Sequence, residues 1–180
     1  MKQEQLLTVQ SNAPSQTQAI AAAIARVAEP GDLVLLAGEL GAGKTAFAQG
    51  FGAALGVSEP ITSPTFTIAH RHDGRVPVHH VDAYRLERLH EVNELALGEV
   101  LDEGGVVLIE WGDVVASEVP PDHLEISITF GSGNDDRLLS LRPVGPRWSA
   151  RWRMLQEELA PFTAPAPDRG DARPAELEDR

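Results

Sequence analysis

The chain contains no cysteine. That excludes disulfides, thiolate zinc sites and cysteine nucleophiles, and it suits a reducing cytoplasm, where we expect the protein to work. Long apolar runs are also missing. No stretch approaches the ~20 residues of a membrane span, so no membrane contact is expected. Met1-Lys2-Gln3-Glu4-Gln5 leads into no such run either, so no secretory leader is expected. Positive charge is scarce: 15 Lys and Arg stand against 27 Asp and Glu, for a formal net charge of −12. Such a surface repels the phosphate backbone of nucleic acid, which disfavours strong direct binding of RNA or DNA.

What remains is an ordinary soluble composition, 42% hydrophobic over 180 residues. That length supports one domain with a real core. From Pro161 onward the chain is rich in Pro, Ala and charge, with too few apolar residues to offset the entropy of ordering. The expected organisation is a folded domain over 1–160 and a disordered tail over 161–180. The tail carries five acids against three arginines, so most of the acidity belongs to the folded part.

The most informative stretch is Gly38-Glu39-Leu40-Gly41-Ala42-Gly43-Lys44-Thr45. It fits the phosphate-binding loop pattern of Gly, four residues, Gly, Lys, Ser/Thr. Glycines let the backbone turn tightly and bring its N–H groups close to a polyphosphate. Lys44 adds positive charge at the outer phosphates, and the Thr45 hydroxyl suits a magnesium ion. Asp32-Leu33-Val34-Leu35-Leu36-Ala37 before the loop reads as a largely apolar strand. Ala46 to Leu55 reads as a helix stopped by Gly56, beginning at about Gly43 with its positive end toward the phosphates. Gly50 and Gly52 weaken that helix, and close packing on the sheet would explain them.

A second signature follows downstream. Val106-Val107-Leu108-Ile109 is an apolar strand ending in Glu110, where nucleotide-binding folds of this kind place a magnesium-facing acid. Asp82 similarly ends the apolar stretch Val76–Asp82 and can face the crevice at the strand ends. Between Gly56 and Phe66 lie two prolines and four hydroxyl residues, a loop in which Thr65 is the candidate to meet the γ-phosphate, with Thr62 and Ser63 beside it. Trp111 either walls the nucleotide pocket or fills core.

The remaining pattern is mixed α/β. Gln5–Gln10 reads as a short strand, and Ile20, Ala23, Ile24 and Val27 fall at helical spacing. Phe66–His72 and Val76–Asp82 flank Asp73-Gly74 as an antiparallel hairpin, with Pro77 suggesting an edge or a bulge. Asp122–Phe130 and Arg137–Leu141 form a second hairpin. Leu86–Glu103 reads as one or two short helices with a break at Gly98, and Arg147–Leu159 as a last helix. His70 and His72 could share a strand face while His79 and His80 point oppositely. No third ligand has recognisable spacing, so these histidines are expected to be solvated rather than metal-bound.

The residues converge on a family. Gly38–Thr45, Thr62-Ser63-Pro64-Thr65-Phe66, His80-Val81-Asp82-Ala83-Tyr84-Arg85-Leu86 and Ile109-Glu110-Trp111 occur in the order seen in TsaE (also called YjeE), and the chain resembles that family over Gly38–Trp111. The resemblance implies a P-loop NTPase domain of three layers with a mixed parallel/antiparallel sheet. It implies an ATPase that uses ATP and Mg2+ and supports threonylcarbamoyl transfer to tRNA adenosine by partner TsaD and TsaB proteins, touching tRNA only indirectly. Lys44, Asp82, Thr65 and Glu110 would serve hydrolysis. Gly38, Glu39, Leu40, Gly41, Ala42, Gly43, Lys44, Thr45, Ala46 and Trp111 would surround the nucleotide, and Thr45 and Glu110 would hold the metal.

Two positions depart from the family pattern. Gly112 stands where proline is frequent and is expected to loosen that turn, and Ala46 replaces a frequent threonine. Two other functions share the phosphate loop. A small-molecule kinase would need an arginine-bearing lid, for which Tyr84–Gly105 offers only Arg85 and Arg88. A nucleotide-gated adaptor would bind ATP without meaningful hydrolysis.

Overall fold

The structure is a computed structural model and describes residues 5–62, 69–85 and 97–163. Within these lie strands β1 (Leu7–Ser11), β2 (Leu33–Ala37), β3 (Ala69–His72), β4 (Val78–Asp82), β5 (Val106–Glu110), β6 (His123–Phe130) and β7 (Arg137–Val144). The helices are α1 (Pro14–Val27), α2 (Lys44–Ala54), α3 (Leu97–Asp102), α4 (Pro146–Ala150) and α5 (Trp152–Leu159). All seven strands form one sheet in the order β1-β7-β6-β2-β5-β4-β3. β6, β2, β5 and β4 run parallel; β3 at one edge and β7 on the other side run antiparallel to them, and β1, antiparallel to β7, returns to their direction. The sheet is mixed, as expected, and both hairpins expected from the sequence are antiparallel pairs within it.

The strands' period of two divides the core. Val34, Leu36, Val106, Leu108, Leu124, Ile126 and Ile128 pack with α1, α2 and α5 on one face. Leu33, Leu35, Val107 and Ile109 pack on the other with Leu97 of α3 and with Val115 and Val119. Helices and turns on both faces give three layers. Because β2 and β5 are covered on both sides, they are apolar almost throughout.

Several local expectations change. Gly50 does not serve packing on the sheet: a Cβ there would lie 2.2 Å from the Gln18 carbonyl oxygen, so the glycine admits the backbone of α1. Pro77 is not at an edge. It precedes β4, an interior strand, where its missing N–H is not needed and its carbonyl accepts from Val106 N at 2.8 Å. Gly98 lies inside α3 rather than breaking it. The last helix divides at Arg151 (φ −100°, ψ 7°), whose guanidinium turns inward to the buried Asp32 at 2.7 and 2.8 Å. Pro161–Thr163 still belong to the packed structure, since Phe162 touches the core and Thr163 bridges Val9. Residues 164–180 lie outside the described residues. Among the described residues no helix is long and apolar enough to cross a membrane.

Candidate functional site at the strand ends

The loop 38–43 leaves the end of β2 and enters α2 at Lys44, one residue later than read from the sequence. Gly41 and Gly43 adopt φ +80° and +107°, conformations that side chains resist. A Cβ at Gly41 would meet nothing within 4 Å, so the loop's rim is open. Arg137 of β7 braces the same loop from outside, donating to the carbonyls of Ala42 at 3.0 Å and Gly41 at 3.2 Å. Beside the loop is a cavity of about 410 Å³ lined by Gly38, Glu39, Trp111, Asp113, Thr129 and Phe130 among others.

Lys44 is 6% exposed. Its Nζ donates to the carbonyls of Gly38 at 2.6 Å and Glu39 at 2.9 Å. Burial lowers its pKa from the ordinary lysine value, while Glu110, Asp113 and Asp82 act in the opposite sense. The register explains why these acids gather there: Leu36 is opposite Glu110, and Glu110 opposite Asp82, so two carboxylates stand at adjacent strand ends beside the loop. Both are buried. Asp82 also accepts from the backbone N–H of Tyr84 at 3.2 Å.

Trp111 is half-buried, packing on the core layer of Leu33, Leu35, Val107 and Ile109 and also against this cluster. Its φ of +60° makes it the one non-glycine with positive φ among the described residues. That left-handed turn ends β5 and brings the indole under the ammonium of Lys44, 3.8 Å from ring centroid to Nζ. Tyr84 packs on the indole at 4.9 Å. A bulky side chain held in this region stores strain of the kind that collects at functional sites. Gly112, expected to loosen the turn, does the opposite: a Cβ there would lie 2.6 Å from Leu35 Cβ, so glycine lets the turn seat tightly on β2.

The structure thus brings together the loop, Lys44, Asp82, Glu110 and Trp111. Thr65 and Ser63 lie outside the described residues, and Thr62 is exposed. Thr45 and Ala46 occupy the first turn of α2 and are half-buried. Sequence reasoning missed two contributors. Arg137 is separated from the loop by 95 residues and carries no local signal. His80 is fully buried, not solvated, and its Nε2 lies 2.8 Å from Glu110 Oε1. His72 is buried as well, with Nδ1 3.0 Å from Glu59 Oε1. The pattern that could have suggested His80 is its position two residues before Asp82 on the same strand face.

This donor set fits a magnesium-nucleotide. Buried carboxylates and a threonine hydroxyl are hard oxygen donors suited to Mg2+. The open glycine rim and a lysine whose described hydrogen bonds go to its own loop's carbonyls suit a polyphosphate.

The chain is similar in sequence and in structure to known proteins. The family model described as threonylcarbamoyl adenosine biosynthesis protein TsaE matches residues 11–138. A tRNA threonylcarbamoyladenosine biosynthesis protein TsaE from Bacillus subtilis is 41% identical over 161 residues, 89% of this chain and 96% of that protein. The protein of the same name from Streptomyces coelicolor is 41% identical over 134 residues, 70% of this chain and 89% of that one. The crystal structure of YdiB from Bacillus subtilis superposes with a TM-score of 0.69 at 36% identity, covering 89% of this chain and 98% of that one.

Proposed function

The chain belongs to the TsaE family, and from that premise we propose that it binds ATP with Mg2+ and hydrolyses it to support threonylcarbamoyl transfer to tRNA adenosine by a TsaD–TsaB complex. The observation that carries this reading is the Lys44 ammonium, buried between the loop carbonyls and the acids at the ends of β4 and β5.

On this reading the loop N–H groups and Lys44 hold the phosphates. Lys44 exchanges its contacts with Gly38 and Glu39 for phosphate oxygens as ATP enters. Thr45 and Glu110 would hold the metal, which would offset charge on the phosphates. Asp82 positions the attacking water, and Thr65 approaches the terminal phosphate. Little covalent work falls to the protein, so placement and charge supply most of the rate. Trp111 keeps Lys44 aligned and shields it from water. Glu39, Leu40, Ala42 and Ala46 contribute backbone rather than side-chain chemistry.

The deciding experiment is phosphate release and tRNA modification measured together, with and without TsaD and TsaB. ATP turnover that rises when both partners are added, coupled to modification, is the expected result. Absence of any binding of adenine nucleotide in calorimetry with magnesium present would overturn the proposal. A phosphorylated metabolite in place of free phosphate would identify a kinase. A slowly hydrolysed analogue that fully supports modification would identify an adaptor.

A further inference from the structure

The sequence offered two histidines on one face of β3 and no third ligand. The fold supplies one. Glu59, in the loop after α2, reaches the edge strand, and donor atoms of Glu59, His70 and His72 lie within 4.8 Å of one another. His72 is held in place by burial, at 4% exposure, and by the contact of its Nδ1 with Glu59 at 3.0 Å. His70 stands beside it with ring centroids 4.5 Å apart. Glu59 and His70 are exposed and can approach without moving the core.

We propose that Glu59, His70 and His72 form a second metal site, selective for a transition divalent ion such as zinc. Two imidazoles and one carboxylate are the ligand chemistry of zinc, whereas magnesium prefers oxygen alone. Zinc with ligands at about 2.0–2.1 Å places donors about 3.4 Å apart in a tetrahedron, a short closure for two exposed side chains. The ion takes the lone pair of His72 Nδ1 as a neutral imidazole, whose ring hydrogen then sits on Nε2, and Glu59 turns from hydrogen-bond partner to ligand. Water fills the open position. The ion would cross-link the loop after α2 to β3, the outermost strand on that side of the sheet. The His72 ring lies 6.3 Å from that of His80, so the site adjoins the acids of the nucleotide site without sharing a ligand with them.

The test is calorimetry of the full, tag-free chain with a zinc salt alone, no nucleotide present, paired with thermal melting. The wild type should bind one zinc saturably and melt at a higher temperature with it. His70→Ala removes an exposed ligand, and Glu59→Gln keeps a hydrogen-bond acceptor for His72 while removing the anion. Each should weaken zinc at least tenfold and abolish the rise in melting temperature, with unchanged melting in zinc-free buffer. Lack of saturable zinc binding, wild-type affinity in either variant, or displacement of zinc by millimolar magnesium would each overturn the assignment.

Discussion

His80 Nε2 donates to Glu110 Oε1 across 2.8 Å, with both side chains buried between β4, β5 and the helical layer. Because an ionised carboxylate can only accept, the hydrogen of this contact sits on Nε2. If Glu110 ligates the metal as proposed, this imidazole would hold its carboxylate in orientation.

His80→Ala should therefore impair the protein twice. Loss of the buried partner of Glu110 should cost about 1–3 kcal/mol of stability, read by urea denaturation. Magnesium-dependent ATP turnover should fall by about 10–100-fold, the usual scale for losing such an orienting group. His80→Gln, which can still donate, should recover part of the activity; no recovery together with full stability would argue against orientation as its role.

Lys44→Ala should separate chemistry from folding. The two hydrogen bonds of Nζ contribute about 1 kcal/mol each and burial of the ammonium opposes them, so unfolding free energy should move by about 1 kcal/mol or less. Phosphate release should fall at least ~10²-fold, as for loss of one transition-state donor. Thr45→Ala should abolish turnover in the same assay with the fold intact.

Trp111 allows strain to be measured directly. Alanine in the left-handed region costs about 1–2 kcal/mol, and glycine gives back about 0.4–1 through unfolded-chain entropy. Trp111→Gly should thus be more stable than Trp111→Ala by about 0.5–1 kcal/mol. Both should weaken ATP binding in calorimetry, because both remove the ring beneath Lys44.

Gly50→Ala sets helix propensity against sterics. Propensity favours alanine by about 1 kcal/mol. The new Cβ would lie 2.2 Å from a backbone oxygen of α1, which cannot swing aside. Overpacking of this kind costs up to about 3 kcal/mol, so a net loss near ~2 kcal/mol is expected in chemical denaturation. A gain in melting temperature would show that α1 yields easily.

Arg151→Ala should be costly far from the nucleotide site. It leaves the fully buried Asp32 with Arg147 at 3.2 Å and the Glu29 N–H at 2.7 Å. Breaking one partner of a buried pair typically costs about 3–5 kcal/mol, and the remaining partners place this case near the lower figure. ATP turnover measured well below the melting temperature should be unchanged.

The sequence alone determined the loop 38–45, a mixed sheet with two antiparallel hairpins, and the acids that end strands at Asp82 and Glu110. Those signals are local: glycine spacing, strand periodicity and the residue that ends an apolar run are all read within a few positions. Tertiary structure decided what lies across those positions. Register put Asp82, Glu110 and His80 on one face, chain return brought Arg137 to a loop 95 residues away, and Glu59 joined His70 and His72 across an edge. A linear pattern carries the direction of each side chain along its own strand or helix. It does not carry which segment arrives opposite, because that follows from how the whole chain buries its apolar faces at once.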